Sequence, residues 1–339
     1  MISVEEQKDI MQKTKISVKN IKEYLPKVKE NILLKDHTTW RIGGPAKYFL
    51  EAANAQELTA ALQFSREATL PYFILGGGSN ILASDKGFKG LVIKIRFLDL
   101  EIKEEGSKIK VLAGAGLQLG FLCNKLMEGQ ATGMEWAASI PGTLGGAVFG
   151  NAGAFGPSMA DSVEWVEVLE IKNKKCEIKK YQNSDCRFAY RSSVFKKKAP
   201  NFVVIRAQLS LAKGDKEAIA KKMKEHADFR RDRHPLNFPS AGSVFKNYGK
   251  AIKNKELLAE FPELEKFNAR KDIPAGWLIA RSGLTGKQIG QAQISEKHSN
   301  FFVNLGGAKA KDIRALIKFA QKKVKKVFGM ILEEEVIYL

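Results

Sequence analysis

The chain lacks the residues from which disulfide frameworks and metal centres are built. It has only three cysteines in 339 residues, and no two of them form a CxxC pair. Its four histidines are scattered, with no two at the spacing of metal ligands. An odd cysteine count without a framework is typical of reduced thiols in a cytoplasm, and we expect no bound metal.

Long apolar runs are also absent. No stretch approaches the roughly 20 apolar residues that a membrane-spanning helix needs, and the N-terminus lacks the apolar core of a secretory signal. A hydrophobic fraction of 44% and an aromatic fraction of 9% are instead typical of a globular protein. The length corresponds to about two ordinary domains. We therefore predict a cytoplasmic globular protein.

What the chain has in excess is positive charge. Its 56 basic and 37 acidic residues give a formal net charge of +19. Such an excess attracts anions, whether nucleic acids, anionic lipids or phosphorylated small molecules. Many lysines near the C-terminus fall outside the apolar stripe of a predicted helix that includes Ile313, Leu316 and Val324. A solvated helix face explains them better than a nucleic-acid patch, because no RNA-binding signature accompanies them.

Three consecutive glycines, Gly76 to Gly78, follow the apolar run Tyr72–Leu75 and precede Ser79 and Asn80. A buried strand that ends in bare main chain can form a concave anion site, in which backbone N–H groups and the two polar side chains are the donors. An ordinary tight turn needs only one or two glycines. A phosphate cradle is therefore the better interpretation, and a plain turn is the alternative.

A second cluster places six glycines between Ser139 and Gly156. No regular amphipathic element fits them, so we predict a loop that either packs against another backbone or lines a ligand. Neither cluster spells the GxGxxG of a Rossmann site, and GAGLQLG at 114–120 has one residue too many before its third glycine. Together the clusters predict one extended ligand, with a diphosphate on one cluster and a ring system along the other.

The pattern of apolar residues changes near residue 212. Strand patterns dominate from Trp40 to Leu211, and helical patterns dominate afterwards. A helix is predicted from Asn54, its cap, to Ala68, with Glu57 at the capping-box position. The lysine-rich helix should stop at Gly329, before a terminal strand in MILEEEVIYL. We place an N-terminal extension at 1–29, one domain at 30–211 and another at 212–339.

Three short segments combine reactive side chains with unusual backbone. They carry Arg191 in FAYRSSVFK, Ser243 in SAGSVFKN, and Glu335, which precedes Val336. Taken alone, each has a plain interpretation as a surface cation, a turn residue or a solvated glutamate. No GxSxG elbow surrounds Ser243, so we do not interpret it as an activated nucleophile.

These segments belong to an ordered series that resembles a known family. The series is TTWRIGGPAKYFLEA, ILGGGSNIL, GMEWAASIPGTLGGAVFGNAGAFG, FAYRSSVFK, AGSVFKN, GWLIARSGLTGKQIGQAQISEKHSNFFVN and ILEEEV. It resembles the UDP-N-acetylenolpyruvoylglucosamine reductases, flavoenzymes that complete UDP-N-acetylmuramic acid for bacterial peptidoglycan. The resemblance implies an α+β fold, with a two-part FAD-binding module of the PCMH/vanillyl-alcohol-oxidase type and a C-terminal α+β substrate-binding domain.

The resemblance also implies which residues hold FAD. The first glycine cluster would cradle the FAD diphosphate, and the second would line the cofactor with its main chain close to the flavin. The implied cofactor-binding residues are Gly76, Gly77, Gly78, Ser79, Asn80, Ser139, Ile140, Pro141, Gly142, Gly145, Gly146, Asn151 and Gly153. NADPH is the implied co-substrate.

The implied reaction has two halves. NADPH reduces the flavin, and the enolpyruvyl ether of UDP-N-acetylglucosamine then takes a hydride at its methylene carbon and a proton at its α-carbon. By motif match, Ser243 would donate the proton, while Arg191 and Glu335 would stabilise the developing enolic carboxylate. The implied substrate contacts are Tyr190, Lys246 and Asn247, with Lys297 and His298 near the nucleotide.

The chain departs from the family pattern at Tyr248 and Glu334, where proline is usual. Only 51 residues, 192–242, separate Arg191 from Ser243, as in the subclass without an inserted substrate loop. Two other functions stay open, namely another flavin oxidase or dehydrogenase and a basic nucleic-acid-binding protein with an inactive fold. We expect the two substrates as partners, no nucleic acid and no membrane span. The oligomeric state is left open, and a monomer is compatible with the sequence.

Overall fold

The computed structural model describes residues 20–172 and 175–339. The first 19 residues of the predicted N-terminal extension lie outside this range. The chain forms two compact units that interleave along the sequence. The first unit comprises the described residues up to 32 together with 46–76 and 88–216, and the second comprises 33–45, 77–87 and 217–339. The first glycine cluster is thereby divided, with Gly76 in the first unit and the following residues in the second.

Both units contain helices as well as strands, and the strands often follow one another without an intervening helix, which confirms the predicted α+β class. The strands are β1 Lys29–Leu33, β2 Pro45–Ala52, β3 Tyr72–Leu75, β4 Ile81–Leu82, β5 Phe88–Ile95, β6 Leu100–Glu105, β7 Lys108–Gly114, β8 Ala131–Thr132, β9 Val163–Lys172, β10 Lys175–Gln182, β11 Phe202–Lys213, β12 Gln288–Ile289, β13 Ala292–Ile294, β14 Phe302–Asn304 and β15 Ile337–Tyr338. The α-helices are Ile21–Tyr24, Ala55–Glu67, Leu119–Glu128, Leu144–Gly150, Met159–Ser162, Val194–Lys197, Lys216–Arg233, Lys255–Glu260, Leu264–Arg270, Ala275–Arg281 and Ala310–Phe328. Among the described residues, no helix is both long enough and apolar enough to cross a lipid bilayer.

The first unit is built on two sheets. One has the strand order β1-β2-β5-β3, in which β2 and β3 run parallel to β5. The other is antiparallel, with the order β10-β9-β11-β7-β6 and with β8 beside β11. In β11, buried and more exposed residues alternate from Arg206 to Leu211, whereas Phe202 to Ile205 are all buried. A β-bulge between Val204 and Arg206 separates the two patterns.

The helix Ala55–Glu67 begins as predicted. The Asn54 side chain accepts a hydrogen bond from the Glu57 N–H at 2.9 Å. The Glu57 carboxylate accepts from the Ala53 N–H at 2.8 Å, one residue before the partner that a capping box would use. These bonds satisfy main-chain donors that the first turn of a helix leaves unpaired.

Two sequence-based predictions of local structure are wrong. The second glycine cluster contains a helix, Leu144–Gly150, with Leu144, Ala147 and Val148 buried on one side. That helical spacing is masked in the sequence by the glycines among these residues. The predicted terminal strand is limited to β15, because Met330 and Leu332 pack into the core instead of pairing in a sheet.

The second unit packs the helix Ala310–Phe328 against the antiparallel sheet β12-β13-β14. Gly329 ends this helix at a φ of +69°, as predicted. Trp40 is fully buried in this core, and its indole N–H donates to the Phe302 carbonyl at 2.6 Å. β15 pairs in parallel with β4, so the last residues of the chain lie beside the segment that follows the first glycine cluster.

Candidate active site

The second glycine cluster contains glycines of two kinds. A Cβ on Gly145 would lie 2.7 Å from the Ala115 Cβ, and one on Gly153 would lie 2.7 Å from the Pro157 carbonyl oxygen. Packing therefore requires both. A Cβ on Gly146 would meet nothing nearer than the Thr143 hydroxyl at 3.6 Å, and one on Gly150 would meet nothing within 4 Å. The protein's own atoms do not explain these last two glycines.

Two buried donors stand close in sequence to these glycines. Within 20–172 and 175–339, the hydroxyl of Ser139 and the indole N–H of Trp136 have no hydrogen-bond partner. Buried polar groups are nearly always paired, so both indicate a polar ligand. The rest of the loop is anchored, since Gly142 accepts from the Leu119 N–H at 3.0 Å and Ile140 donates to Ala137 at 3.0 Å. Bare main chain and an unused hydroxyl fit a large cofactor such as FAD.

The first glycine cluster adjoins the second within the first unit. A Cβ on Gly76 would lie 2.8 Å from the hydroxyl of Thr143, the residue that caps the helix Leu144–Gly150. Gly78, in the second unit, has a φ of +67°, and a Cβ there would lie 2.0 Å from the His37 carbonyl oxygen. The first cluster is therefore compact even before a ligand is considered.

In the second unit, the segments that carry Ser243 and Glu335 run side by side. The Glu335 N–H donates to the Val244 carbonyl at 2.8 Å, and the Lys246 N–H donates to the Glu333 carbonyl at 2.9 Å. Ser243 itself pairs with Phe301 on another segment. Two residues that were selected from motifs far apart in sequence thus lie on neighbouring segments.

Asn80 ends the loop of residues 76–80, called here the glycine loop, and is bonded to the segment that carries Glu335. Its side-chain amide donates to the Glu335 carbonyl at 3.0 Å, and its main-chain carbonyl accepts from the Ile337 N–H at 3.0 Å. The end of the glycine loop therefore fixes the main chain of Glu335 on one side, and Val244 fixes it on the other.

Sequence reasoning missed Asn300, which is only 3% exposed. Its side chain accepts from the Phe245 N–H at 3.0 Å and donates to the Phe245 carbonyl at 2.8 Å. Its main-chain carbonyl accepts from the Val244 N–H at 2.8 Å. Asn300 therefore holds the segment that follows Ser243. An amide directly before two phenylalanines, as in SNFF, is the signal that could have revealed it.

Arg191 lies in the first unit, in a turn whose conformation is unusual for a side chain of its size. Its φ is +52°, and its guanidinium donates to the Gly153 carbonyl at 3.2 Å. Asn151 supports the same turn, because its amide donates to the Ala189 carbonyl at 3.0 Å. Two predicted cofactor residues, Asn151 and Gly153, thus position the loop of a predicted catalytic residue.

The predicted substrate contacts have different environments. Tyr190 is 56% exposed, and the Arg191 guanidinium lies 5.5 Å from its ring centre. The Lys246 ammonium forms an ion pair with Glu333. The Asn247 carboxamide accepts from the Ala275 N–H at 3.2 Å, at the start of the helix Ala275–Arg281. Tyr190 is thus the most accessible of the three.

Lys297 borders a cavity in the second unit, and the neighbouring His298 packs beside it without lining it. Lys297 and His234 line this cavity, whose volume is about 590 Å³. His234 and His298 both pack against Phe301, with ring centres 4.7 and 4.8 Å away. Burial, reinforced by nearby cations, lowers the pKa of His234 to about 4, and burial also lowers the pKa of His298. Both shifts favour the neutral imidazole, and both rings pack against Phe301, which pairs with Ser243.

The described residues contain no group of three or more His, Cys, Asp and Glu side chains that could hold a metal. Bare main chain beside an unused hydroxyl, as in the second glycine cluster, suits a large bound cofactor. A family profile described as an FAD binding domain matches residues 46–174. Another, described as the C-terminal domain of UDP-N-acetylenolpyruvoylglucosamine reductase, matches residues 234–339.

Relatives over nearly the whole length decide the family. The chain is 39% identical over 323 residues to the UDP-N-acetylenolpyruvoylglucosamine reductase of Caldanaerobacter subterraneus subsp. tengcongensis, which covers 95% of this chain and 97% of that protein. It is 38% identical to the enzyme of the same name from Carboxydothermus hydrogenoformans, over 96% and 99% of the two chains. The chain belongs to the UDP-N-acetylenolpyruvoylglucosamine reductase family.

A solved structure agrees. The crystal structure of the UDP-N-acetylenolpyruvylglucosamine reductase from Thermus caldophilus superposes with a TM-score of 0.70 at 32% identity, over 91% of this chain and 98% of that one. The resemblance inferred from the sequence, the FAD cofactor and the class of flavin oxidoreductase are thereby confirmed.

Proposed function

We propose that this protein catalyses the NADPH-dependent, FAD-mediated reduction of UDP-N-acetylglucosamine enolpyruvate to UDP-N-acetylmuramate in peptidoglycan precursor synthesis. One observation carries the assignment of the site. The Glu335 N–H donates to the carbonyl of Val244, the residue after Ser243, at 2.8 Å, and the Asn80 side chain donates to the Glu335 carbonyl at 3.0 Å. These bonds support the proposal, because the main chains of the proposed acid and of the proposed carboxyl group lie side by side next to the end of the glycine loop.

The proposal assigns FAD to the two glycine clusters. Residues 76–80 and the residues between Ser139 and Gly153 would hold it, through main-chain N–H groups and the Ser139 hydroxyl. When bound, FAD supplies hydride transfer between NADPH and the substrate. We assign residues 30–211 to the FAD-binding module and 212–339 to the substrate domain, and we place the protein in the cytoplasm.

The remaining steps, protonation and charge stabilisation, are assigned to side chains. Ser243 donates the proton to the α-carbon, and Arg191 stabilises the negative charge that develops on the substrate's carboxylate end. Glu335 stabilises the same charge by donating a hydrogen bond in its protonated form, which the neighbouring substrate carboxylate favours. The hydrogen bond to the Gly153 carbonyl orients the Arg191 guanidinium, so the positive charge of Arg191 is preorganised. Lys246 exchanges its ion pair with Glu333 for the UDP diphosphate, to which a lysine is suited as a point charge.

The test separates the two half-reactions. Anaerobic protein is reduced with one equivalent of NADPH while the flavin absorbance is followed, and UDP-N-acetylglucosamine enolpyruvate is then added. We expect bleaching by NADPH and recovery on addition of the substrate. Bleaching without recovery would assign the chain to another flavin oxidoreductase, and a protein that binds no flavin would exclude the whole proposal.

The role of Ser243 has its own test. Ser243→Ala is expected to keep bleaching by NADPH at the wild-type rate while recovery slows by about 100-fold or more, since general acids contribute about 10²–10⁴-fold. Ser240→Ala, three positions earlier on the same segment, is the matched control and is expected to recover normally. Recovery of Ser243→Ala at the wild-type rate would remove this serine from its role.

A further inference from the structure

The helix Ala310–Phe328 has one buried face and one charged face. Its buried residues, among them Ile313, Leu316 and Val324, belong to the core of the second unit. The other face, called here the basic face, consists of the exposed residues Lys311, Arg314, Lys318, Lys322, Lys323, Lys325 and Lys326. Since a helix turns about 100° per residue, these side chains spread over about half of its circumference.

Within the described chain, acidic side chains do not pair with the lysines of the basic face, although Asp85 lies at the start of the helix, where its carboxylate accepts from the Ala310 and Lys311 N–H groups at 2.7 and 3.1 Å. The sequence has no aspartate or glutamate between Ile313 and Leu332. The acid at the start of the helix, Asp312, accepts a hydrogen bond from the Lys309 N–H at 3.0 Å. None of the six lysines of the basic face forms an ion pair with any residue that the structure describes. Their charges are therefore available to an external anion.

The helix Lys216–Arg233 shows that this arrangement is not general in this chain. Both helices carry seven lysines and arginines, but the helix Lys216–Arg233 has four acids among them and the helix Ala310–Phe328 has one. In the former, Lys224 and Arg231 both pair with Asp228 at 2.7 Å. The difference lies in charge pairing, not in the number of cations.

An aromatic side chain lies among the lysines. Phe319 is 40% exposed, and its place along the helix puts it between Lys323 and Lys326 on the basic face. The Lys287 ammonium lies 5.4 Å from its ring centre and adds a further cation. Ile331, 66% exposed, follows shortly after the end of the helix. Apolar side chains among lysines are typical of helices that lie on a membrane surface.

We propose that the basic face docks on the anionic lipid headgroups of a membrane surface. Clusters of about four to eight lysines and arginines on an amphipathic helix are attracted to such a surface. A flat array of charges around one helix matches a plane of headgroups. It lacks the groove and the stacked aromatic platforms that hold single-stranded nucleic acid, and six of its seven cations are lysine, a point charge, and not the bidentate arginine. The proposal also accounts for positive charge beyond what two phosphorylated substrates require.

The test uses full-length, flavin-loaded protein and vesicles of equal parts phosphatidylglycerol and phosphatidylcholine. We expect co-flotation that falls steeply with salt and is absent on pure phosphatidylcholine. The variant Lys318→Gln/Lys322→Gln/Lys325→Gln/Lys326→Gln is expected to lose at least about 100-fold in partitioning, since each lysine near the surface contributes to binding. The matched control, Lys216→Gln/Lys221→Gln/Lys222→Gln/Lys224→Gln, removes the same charge from the helix Lys216–Arg233 and is expected to keep binding.

Phe319→Ser separates insertion from charge alone, and is expected to weaken flotation while the salt dependence persists. Equal losses in the two four-lysine variants would overturn the proposal, because net charge and not the basic face would then be responsible. So would tighter binding to a single-stranded oligoribonucleotide than to the anionic vesicles. Flavin absorbance and thermal unfolding, measured on each variant, show that a loss of binding is not a loss of fold.

Discussion

The two glycine clusters look alike in sequence, but the structure uses their glycines differently. At Gly78 the protein's own atoms leave no room, since a Cβ would lie 2.0 Å from the His37 carbonyl oxygen. In the second cluster, Gly145 and Gly153 are also packed, whereas Gly146 and Gly150 have room for a Cβ. Glycine richness alone therefore does not identify a ligand site. Only the glycines that packing leaves unexplained argue for a cofactor.

The comparison can be tested by adding one methyl group at a time. A glycine held by packing should lose stability when it becomes alanine, whether or not FAD is present. A glycine reserved for the cofactor should keep or gain stability in the flavin-free protein and lose affinity for FAD. The variants below are ordered by the size of the expected change in unfolding free energy.

Gly78→Ala is expected to have the largest effect. Left-handed strain of a non-glycine residue and overpacking against the His37 carbonyl oxygen together should lower the unfolding free energy by about 3–5 kcal/mol. Urea denaturation of the flavin-free protein measures it. Gly106→Ala is the matched control, because its φ is also positive, +61°, but a Cβ there has nothing within 4 Å. Equal losses in the two variants would attribute the effect to φ alone.

Gly153→Ala is expected to have an intermediate effect. Its φ lies outside the left-handed region, so only the contacts with Pro157 and Ser158, at 2.7 and 2.9 Å, resist the methyl group. We expect a loss of about 1–3 kcal/mol. The Gly153 carbonyl also accepts from Arg191, so reoxidation by substrate should slow while bleaching by NADPH is unchanged. An unchanged urea midpoint would show that the loop yields to the added group.

The sequence predicted where the two glycine clusters lie, but not which glycines packing requires and which are left for a ligand. Local patterns were sufficient to predict the strand before the three glycines, the helix cap at Asn54 and the helix end at Gly329. Other contacts join segments that are far apart in the chain. They are the close approach of Gly78 to His37 and the hydrogen bonds from Asn80 to Glu335 and between Asn300 and Phe245. No spacing rule encodes such contacts. The motif series selected Ser243 and Glu335 separately, and only the fold places the segments that carry them side by side.

Gly146→Ala is expected to have the smallest effect on stability and the most informative effect on binding. Gly146 lies inside the helix Leu144–Gly150, where alanine is favoured over glycine by about 1 kcal/mol, and its nearest neighbour would be at an ordinary 3.6 Å. The flavin-free variant should therefore unfold at the same urea concentration as the wild type or slightly higher. Its dissociation constant for FAD, measured by quenching of flavin fluorescence, should nevertheless rise by about 10-fold or more, because the methyl group occupies space that the cofactor needs. Gly145→Ala, one residue earlier, is the matched control and should lose stability against Ala115. If Gly146→Ala bound FAD as tightly as the wild type, the open side of this helix would not face the cofactor, and the distinction between the two kinds of glycine would have to rest on packing alone.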